Sequence, residues 1–116
     1  MNESQERTFD RLQTITVDGK SITVGIDNSD EPWFVVKDIC DSLGIVFSNA
    51  LFKKLPVEEM LVLEPTKDPG EEYILAVNES GIHSIISYAH KSEAKAKAST
   101  QWVTSVLLPS IRSHMA

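Results

Sequence analysis

Cys40 is the single cysteine of the chain and the first candidate for chemistry. A thiol attacks as its thiolate, which needs an activating base or cation beside it. The spacing instead sets Cys40 with Ile39 and Leu43 on the apolar face of a short helix. A cysteine there is a small core hydrophobe with a raised pKa. His83 and His90 stand seven residues apart, two helical turns, without a Cys or carboxylate set at zinc-ligand spacing. They read as helix-surface or capping histidines. The five glycines are scattered and form neither a dinucleotide loop nor a phosphate loop. Glu58-Glu59 and Glu71-Glu72 read as solvated strand-end or loop positions. The expectation is therefore no catalytic residue, no metal, no cofactor and no enzyme.

Two further sets suit the grip of a macromolecule. Asp38 to Gly44 followed by Ser48 to Phe52 has the spacing of helix, tight glycine turn and second helix. That is the layout of a helix-turn-helix, whose second helix enters a major groove. Here the second helix offers Asn49, Lys53 and Lys54, residue types that reach base edges and phosphates. The first helix brings Asp38 and Asp41, which would repel phosphate, and the plainer alternative is a helical hairpin covering a sheet. The second set is on the last helix. Lys91, Lys95, Lys97 and Gln101 form a small basic face, with Ala94, Ala98 and Trp102 expected to turn inward.

The elements that must position these groups are legible in the pattern. Leu12, Ile15 and Val17, then Ile22, Val24 and Ile26, alternate around Asp18-Gly19, a strong hairpin signal because both turn residues tolerate positive φ. Asp27 to Pro32 is loop-like, and Trp33 to Val36 is a short buried strand. Gly44 ends the first helix; Ser48 or Asn49 caps the second, which Pro56 stops. Met60 to Leu63 and Tyr73 to Val77 are strands around a loop holding Pro65, Asp68, Pro69 and Gly70, so they form a second hairpin. Asn78 caps a helix carrying Ile82, Ile85, Ile86 and Ala89, and Ser92 caps a last helix that Pro109 is expected to end. The fold class is α+β: a small antiparallel sheet of hairpins packed with four short-to-medium helices. Residues 1–7 read as a flexible polar leader and 8–116 as one domain.

A chain of 116 residues with 41% hydrophobic and 24% charged side chains suits one globular core. Its apolar runs fall short of the roughly 20 residues of a membrane span, and its polar start lacks the apolar stretch of a secretory signal. One cysteine suits a reducing compartment, so the expected location is the cytoplasm. The net charge is -6 and unevenly spread. Met1 to Ser80 holds 7 basic and 16 acidic residues; Gly81 to Ala116 holds 4 basic and 1 acidic. The last third is mildly basic on an acidic body, a balance that opposes non-specific attraction to nucleic acid and anionic lipid.

Three ordered blocks carry a resemblance. They are Glu31-Pro32-Trp33-Phe34-Val35-Val36-Lys37-Asp38-Ile39-Cys40-Asp41-Ser42-Leu43-Gly44, then Val77 to Ile86, then Ser92 to Lys95 with Gln101 to Arg112. Over about Thr8 to Arg112 the chain resembles the N-terminal domain of the BRO family, Bro-N. Most matched residues are fold determinants, among them Trp33, Phe34, Gly44, Gly81, Trp102, Leu107 and Pro109. Where relatives often carry a more arginine-rich stretch, this chain has Tyr88-Ala89-His90-Lys91-Ser92. The resemblance implies a phage or prophage regulatory module in a bacterial host cell. The first expectation is an antirepressor-like protein that binds a phage repressor or other regulatory protein, its acidic body matching a basic DNA-reading surface. The alternative is a DNA-binding transcription regulator working through Asn49, Lys53, Lys54, Lys91, Lys95, Lys97 and Gln101. No membrane partner is expected. Val103, Val106, Leu107, Leu108 and Ile111 suggest more apolar surface than one core covers, and hence a homo-oligomer.

Overall fold

The computed structural model describes residues 12–63 and 74–115. The polar leader, the loop with Pro65, Asp68, Pro69 and Gly70, and Tyr73 lie outside the described residues. The first hairpin joins β1 (Leu12–Val17) to β2 (Lys20–Ile26). Asp18 and Gly19 both take positive φ, 54° and 77°, as the tight turn between right-twisted strands requires. The strand β3 (Pro32–Val35) pairs antiparallel with β2 and leads into α1 (Val36–Leu43). The chain then forms α2 (Asn49–Lys54), a 3-10 turn (Val57–Glu59), and the hairpin of β4 (Met60–Leu63) and β5 (Ile74–Val77). The helix α3 (Glu79–Ala89) is followed by α4 (Glu93–Trp102), a π-helical turn (Val103–Leu107) and α5 (Leu108–Met115). The sheet is antiparallel throughout, in the order β1-β2-β3-β5-β4.

Alternation puts Ile15, Val17, Ile22, Val24, Phe34 and Val77 on one face of the sheet, where they pack with Ile39, Ile82, Ile85 and Leu107. The passage from strand to helix at Val35 would leave a ladder donor of β2 unpaired. Asp38 takes it: the Thr23 amide donates to Asp38 Oδ2 at 2.8 Å. The loop before β3 is wound around one carboxylate. Asp27 is buried and accepts from the Ser29 and Glu31 amides and from Trp33 Nε1, at 2.8 to 2.9 Å.

The helix signals act as read. The Leu51 amide donates to Ser48 Oγ, the Gly81 amide to Asn78 Oδ1, and the Lys95 amide to Ser92 Oγ. Gly44 closes α1 in the left-handed region, φ 69°, its amide bonded to the Cys40 carbonyl. Gly81 serves by smallness: a Cβ there would stand 2.6 Å from Val77 Cβ and 3.0 Å from the Glu59 carbonyl oxygen.

Two expectations for the last helix are corrected. Pro109 does not end it; the helical path runs on through α5. A proline ring clashes with the carbonyl four residues earlier in a regular helix. Here the turn before it is widened to π geometry, with the Leu108 amide reaching back to Val103, and the proline follows without a break. Ala94 and Ala98 do not turn inward; both are exposed. The inward side carries Ala96, Ser99 and Val103, because Val103, Leu107 and Ile111 set the phase and Ser99 has a partner in His90. Trp102 is half-buried, donating from Nε1 to Asp18 at 3.3 Å with Lys20 over its ring. The aliphatic set Val103, Leu107, Leu108 and Ile111 is buried in the core, with Val106 half-buried, so no apolar stripe remains there to join a second copy.

Candidate functional site

Two hollows flank the turn that links α1 to α2. The first is a polar cleft of about 310 Å³ between α2 and the end of α3, with Ser48, Lys54, Tyr88 and His90 among its lining. Ser48 caps α2, which presents Lys53 and Lys54 in its last turn while Leu51 anchors it in the core. Lys54 Nζ lies 5.8 Å from the centre of the Tyr88 ring, which is 48% exposed. A ring that is both cationically decorated and half in water is suited to stacking. His90 closes α3, and its Nε2 is hydrogen-bonded to the buried Ser99 at 2.9 Å, which ties the cleft to α4. Lys91 follows it, exposed.

Of the basic residues read in the sequence, Lys54 lines the cleft with Tyr88 and His90; Lys53 precedes it in the last turn of α2 and Lys91 follows His90 in the chain, both exposed. Asn49 is exposed at the opposite end of α2, and Lys95, Lys97 and Gln101 are exposed along α4; none of them lines the cleft. The helix-turn-helix spacing is realised only in part. With six residues, α2 is roughly 9 Å long, too short to lie along a groove as a recognition helix does. The objection from carboxylates is halved, since Asp38 faces the sheet and holds Thr23. Tyr88 was the functional candidate sequence reading passed over; its signal was an aromatic standing between two histidines beside Lys91.

The second hollow, about 570 Å³, is apolar. It lies between α1 and β5, and Val36, Cys40, Phe47 and Leu75 line it, with Lys37 and Asp41 also at its walls. Ile45 and Val46 line both hollows. Burial pushes the Cys40 thiol up to about 11, with the Asp41 charge adding to the shift. That fits the packing cysteine read from the helix spacing. The run Ile45-Val46-Phe47 directly after Gly44 was the sequence sign of this hollow.

Glu79 stands one turn before His83, a carboxylate that zinc-ligand spacing did not bring out, with Oε2 3.8 Å from the ring. Among the described residues no three His, Cys, Asp or Glu side chains converge on one point. Among them, too, no helix is long and apolar enough to cross a membrane.

The family model described as the BRO family, N-terminal domain, matches residues 21–109. Among solved structures, the chain is similar to the N-terminal domain of Orf22, a Cydia pomonella granulovirus envelope protein. The likeness covers 96% of this chain and 100% of that one, with a TM-score of 0.58 and 20% identity, and so speaks for the fold. No curated protein matches the chain.

Proposed function

Since the chain belongs to the BRO family, as a carrier of that family's N-terminal regulatory domain, we propose that it regulates by gripping nucleic acid through the cleft between α2 and α3. The supporting observation is Lys54 set over the half-exposed Tyr88 in a cleft that His90 also lines, with the exposed Lys53 and Lys91 next in the chain to Lys54 and His90. Ammonium groups draw in phosphates, and an aromatic face offers a stacking surface. The rest of the surface is acidic enough to give the chain its -6 net charge. That overall charge opposes nucleic acid over the acidic body of the chain and leaves contact to the basic last third and the Lys53-Lys54 helix. No step of bond making is assigned to the domain; it acts by occupancy.

A second reading has its own support in the same charge. An antirepressor-like protein would lay an acidic surface on the basic DNA-reading face of a phage repressor and compete there with phosphate. Glu31, Glu58 and Glu79 belong to that acidic body. In both readings the domain works in the cytoplasm of a bacterial host.

A mobility shift with duplex and single-stranded DNA, at low and at moderate salt, tests the first reading. Retention that weakens with salt, and weakens further in Lys54→Glu/Lys91→Glu, is expected. Absence of retention even at low salt removes it. Co-purification with the repressor of the same genetic element then tests the second, which fails if excess protein leaves the repressor fully on its operator.

A further inference from the structure

The two histidines of α3 and its cap stand in different company. His83 has a resident carboxylate: its Nε2 lies 3.8 Å from Glu79 Oε2, one turn earlier on the same helix. His90 has none. Its Nε2 is hydrogen-bonded to the neutral Ser99 Oγ at 2.9 Å. The polar residues that share its cleft are Ser48 and Lys54 from the α2 side and Tyr88 from α3, and Lys91 follows it in the chain. Among the described residues lining the cleft there is no carboxylate. Glu93, the nearest acid in sequence, is exposed in the first turn of α4 and does not line the cleft.

The His90 ring keeps one nitrogen free. Among the described residues no buried side-chain nitrogen or oxygen lacks a hydrogen-bond partner. His90 is half-buried and its bond is made through Nε2, so Nδ1 reaches water. A serine hydroxyl rotates to donate or to accept. With Nε2–H donating to Ser99, the bond survives whether Nδ1 is bare or protonated. The ring can therefore take up a charge at Nδ1 without leaving its place.

We propose that His90 makes the cleft's hold on nucleic acid proton-linked: a backbone phosphate drawn in by Lys54 is the anion that a protonated His90 lacks in the free protein. The inference rests on the proposed function and names the regulation of that same site. In the free protein the imidazolium shares the cleft with an ammonium and no acid. In the complex it meets a phosphate, and a nearby anion favours the charged form. The bound state thus holds the proton more tightly than the free state, and linkage fixes the sign. Affinity rises as the pH falls through the range in which imidazole ordinarily titrates, roughly pH 8 to 5. A phosphodiester keeps its single charge over that range, so the response belongs to the protein. His83, already faced by Glu79, has no such need of a ligand's charge.

Fluorescence anisotropy reads the linkage on the full chain, with labelled DNA in the form that the mobility shift retains, single-stranded or duplex. Salt series are run at about pH 8 and about pH 5.5, either side of the ordinary imidazole value. The wild type is expected to bind about tenfold more tightly at the lower pH. Its slope of log affinity against log salt should steepen there by about 1, the mark of one more cation on a phosphate. His90→Gln, whose amide can still bond Ser99, is expected to lose most of both differences, while His83→Gln keeps them. A wild type without a pH response overturns the proposal, as does His90→Gln responding like the wild type. Magnetic resonance of the His90 ring in the wild type needs no variant. Its titration midpoint is expected to rise on saturation with the same DNA, and an unmoved midpoint contradicts the linkage. Salt-dependent binding that ignores pH overturns this inference alone; no binding at either pH overturns it together with the reading on which it rests.

Discussion

The two hollows share a wall, Ile45 and Val46, yet are made of opposite materials. On one side of the turn the lining is a capping hydroxyl, an ammonium, a phenol ring and an imidazole. On the other it is mainly aliphatic and aromatic, with Lys37 and Asp41 at the walls and a thiol that does not ionise at neutral pH. The difference teaches how a small fold divides its labour. The apolar hollow is a continuation of the core, so changing it disturbs folding. The polar cleft is built from helix ends, where side chains reach water, so its chemistry varies at little cost to the fold.

Perturbations graded by size test that division. The largest effect is expected from Leu51→Ala. Leu51 is 6% exposed and is the buried anchor of α2, so its truncation should cost about 3 kcal/mol and loosen the cleft. Urea unfolding checks the cost; a loss below about 2 kcal/mol, the bottom of the range for such truncations, would mean that α2 is held by something else. Next comes Gly44→Ala. At φ 69° an alanine should cost about 1 to 2 kcal/mol, and Gly44→Asn less, since asparagine tolerates that region. Equal stability of the alanine variant and the wild type would show that the shared turn is not fixed by this residue.

A third test uses pH on the apolar side. The folded Cys40 thiol holds its proton to about 11, against an ordinary value of 9.0. Its contribution to stability is whole below pH 9 and disappears as the pH climbs from 9 toward 11, because the unfolded chain gives up that proton first. The difference in unfolding free energy between the wild type and Cys40→Ala should therefore shrink across that window, and a constant difference would contradict a buried thiol. The smallest effect belongs to the polar side. Tyr88→Ala should change stability by about 0.5 to 1 kcal/mol at most, the worth of an exposed cation–π contact, and a larger loss would move Tyr88 from the cleft to the core.

Much of the scaffold was legible because local rules govern it. Asp18-Gly19, Gly44, Ser48, Asn78 and Ser92 act through their own backbone neighbourhood, and each does what its residue type dictates. The misreadings share another cause. Pro109 looks like a stop until the widened turn before it is known, and that turn depends on packing at both ends. Ala94 and Ala98 looked inward because alanine is weakly apolar, but burial was decided by Val103, Leu107 and the His90–Ser99 bond. Asp38 looked like part of a charged surface, whereas a strand fifteen residues earlier claimed it. Of the candidate site, Lys53, Lys54 and Lys91 were legible as types, but the placing of Lys54 over Tyr88 required the α2–α3 packing, which spacing along one chain does not encode.

Salt-dependent binding of a labelled DNA, followed by fluorescence anisotropy, tests the role of the cleft most directly. The account predicts that log affinity falls linearly with log salt, and that Lys54→Glu/Lys91→Glu lowers that slope by about 2, one for each phosphate no longer neutralised. A double variant that binds as tightly as the wild type, with the same slope, would place the binding surface elsewhere on the molecule and contradict the account.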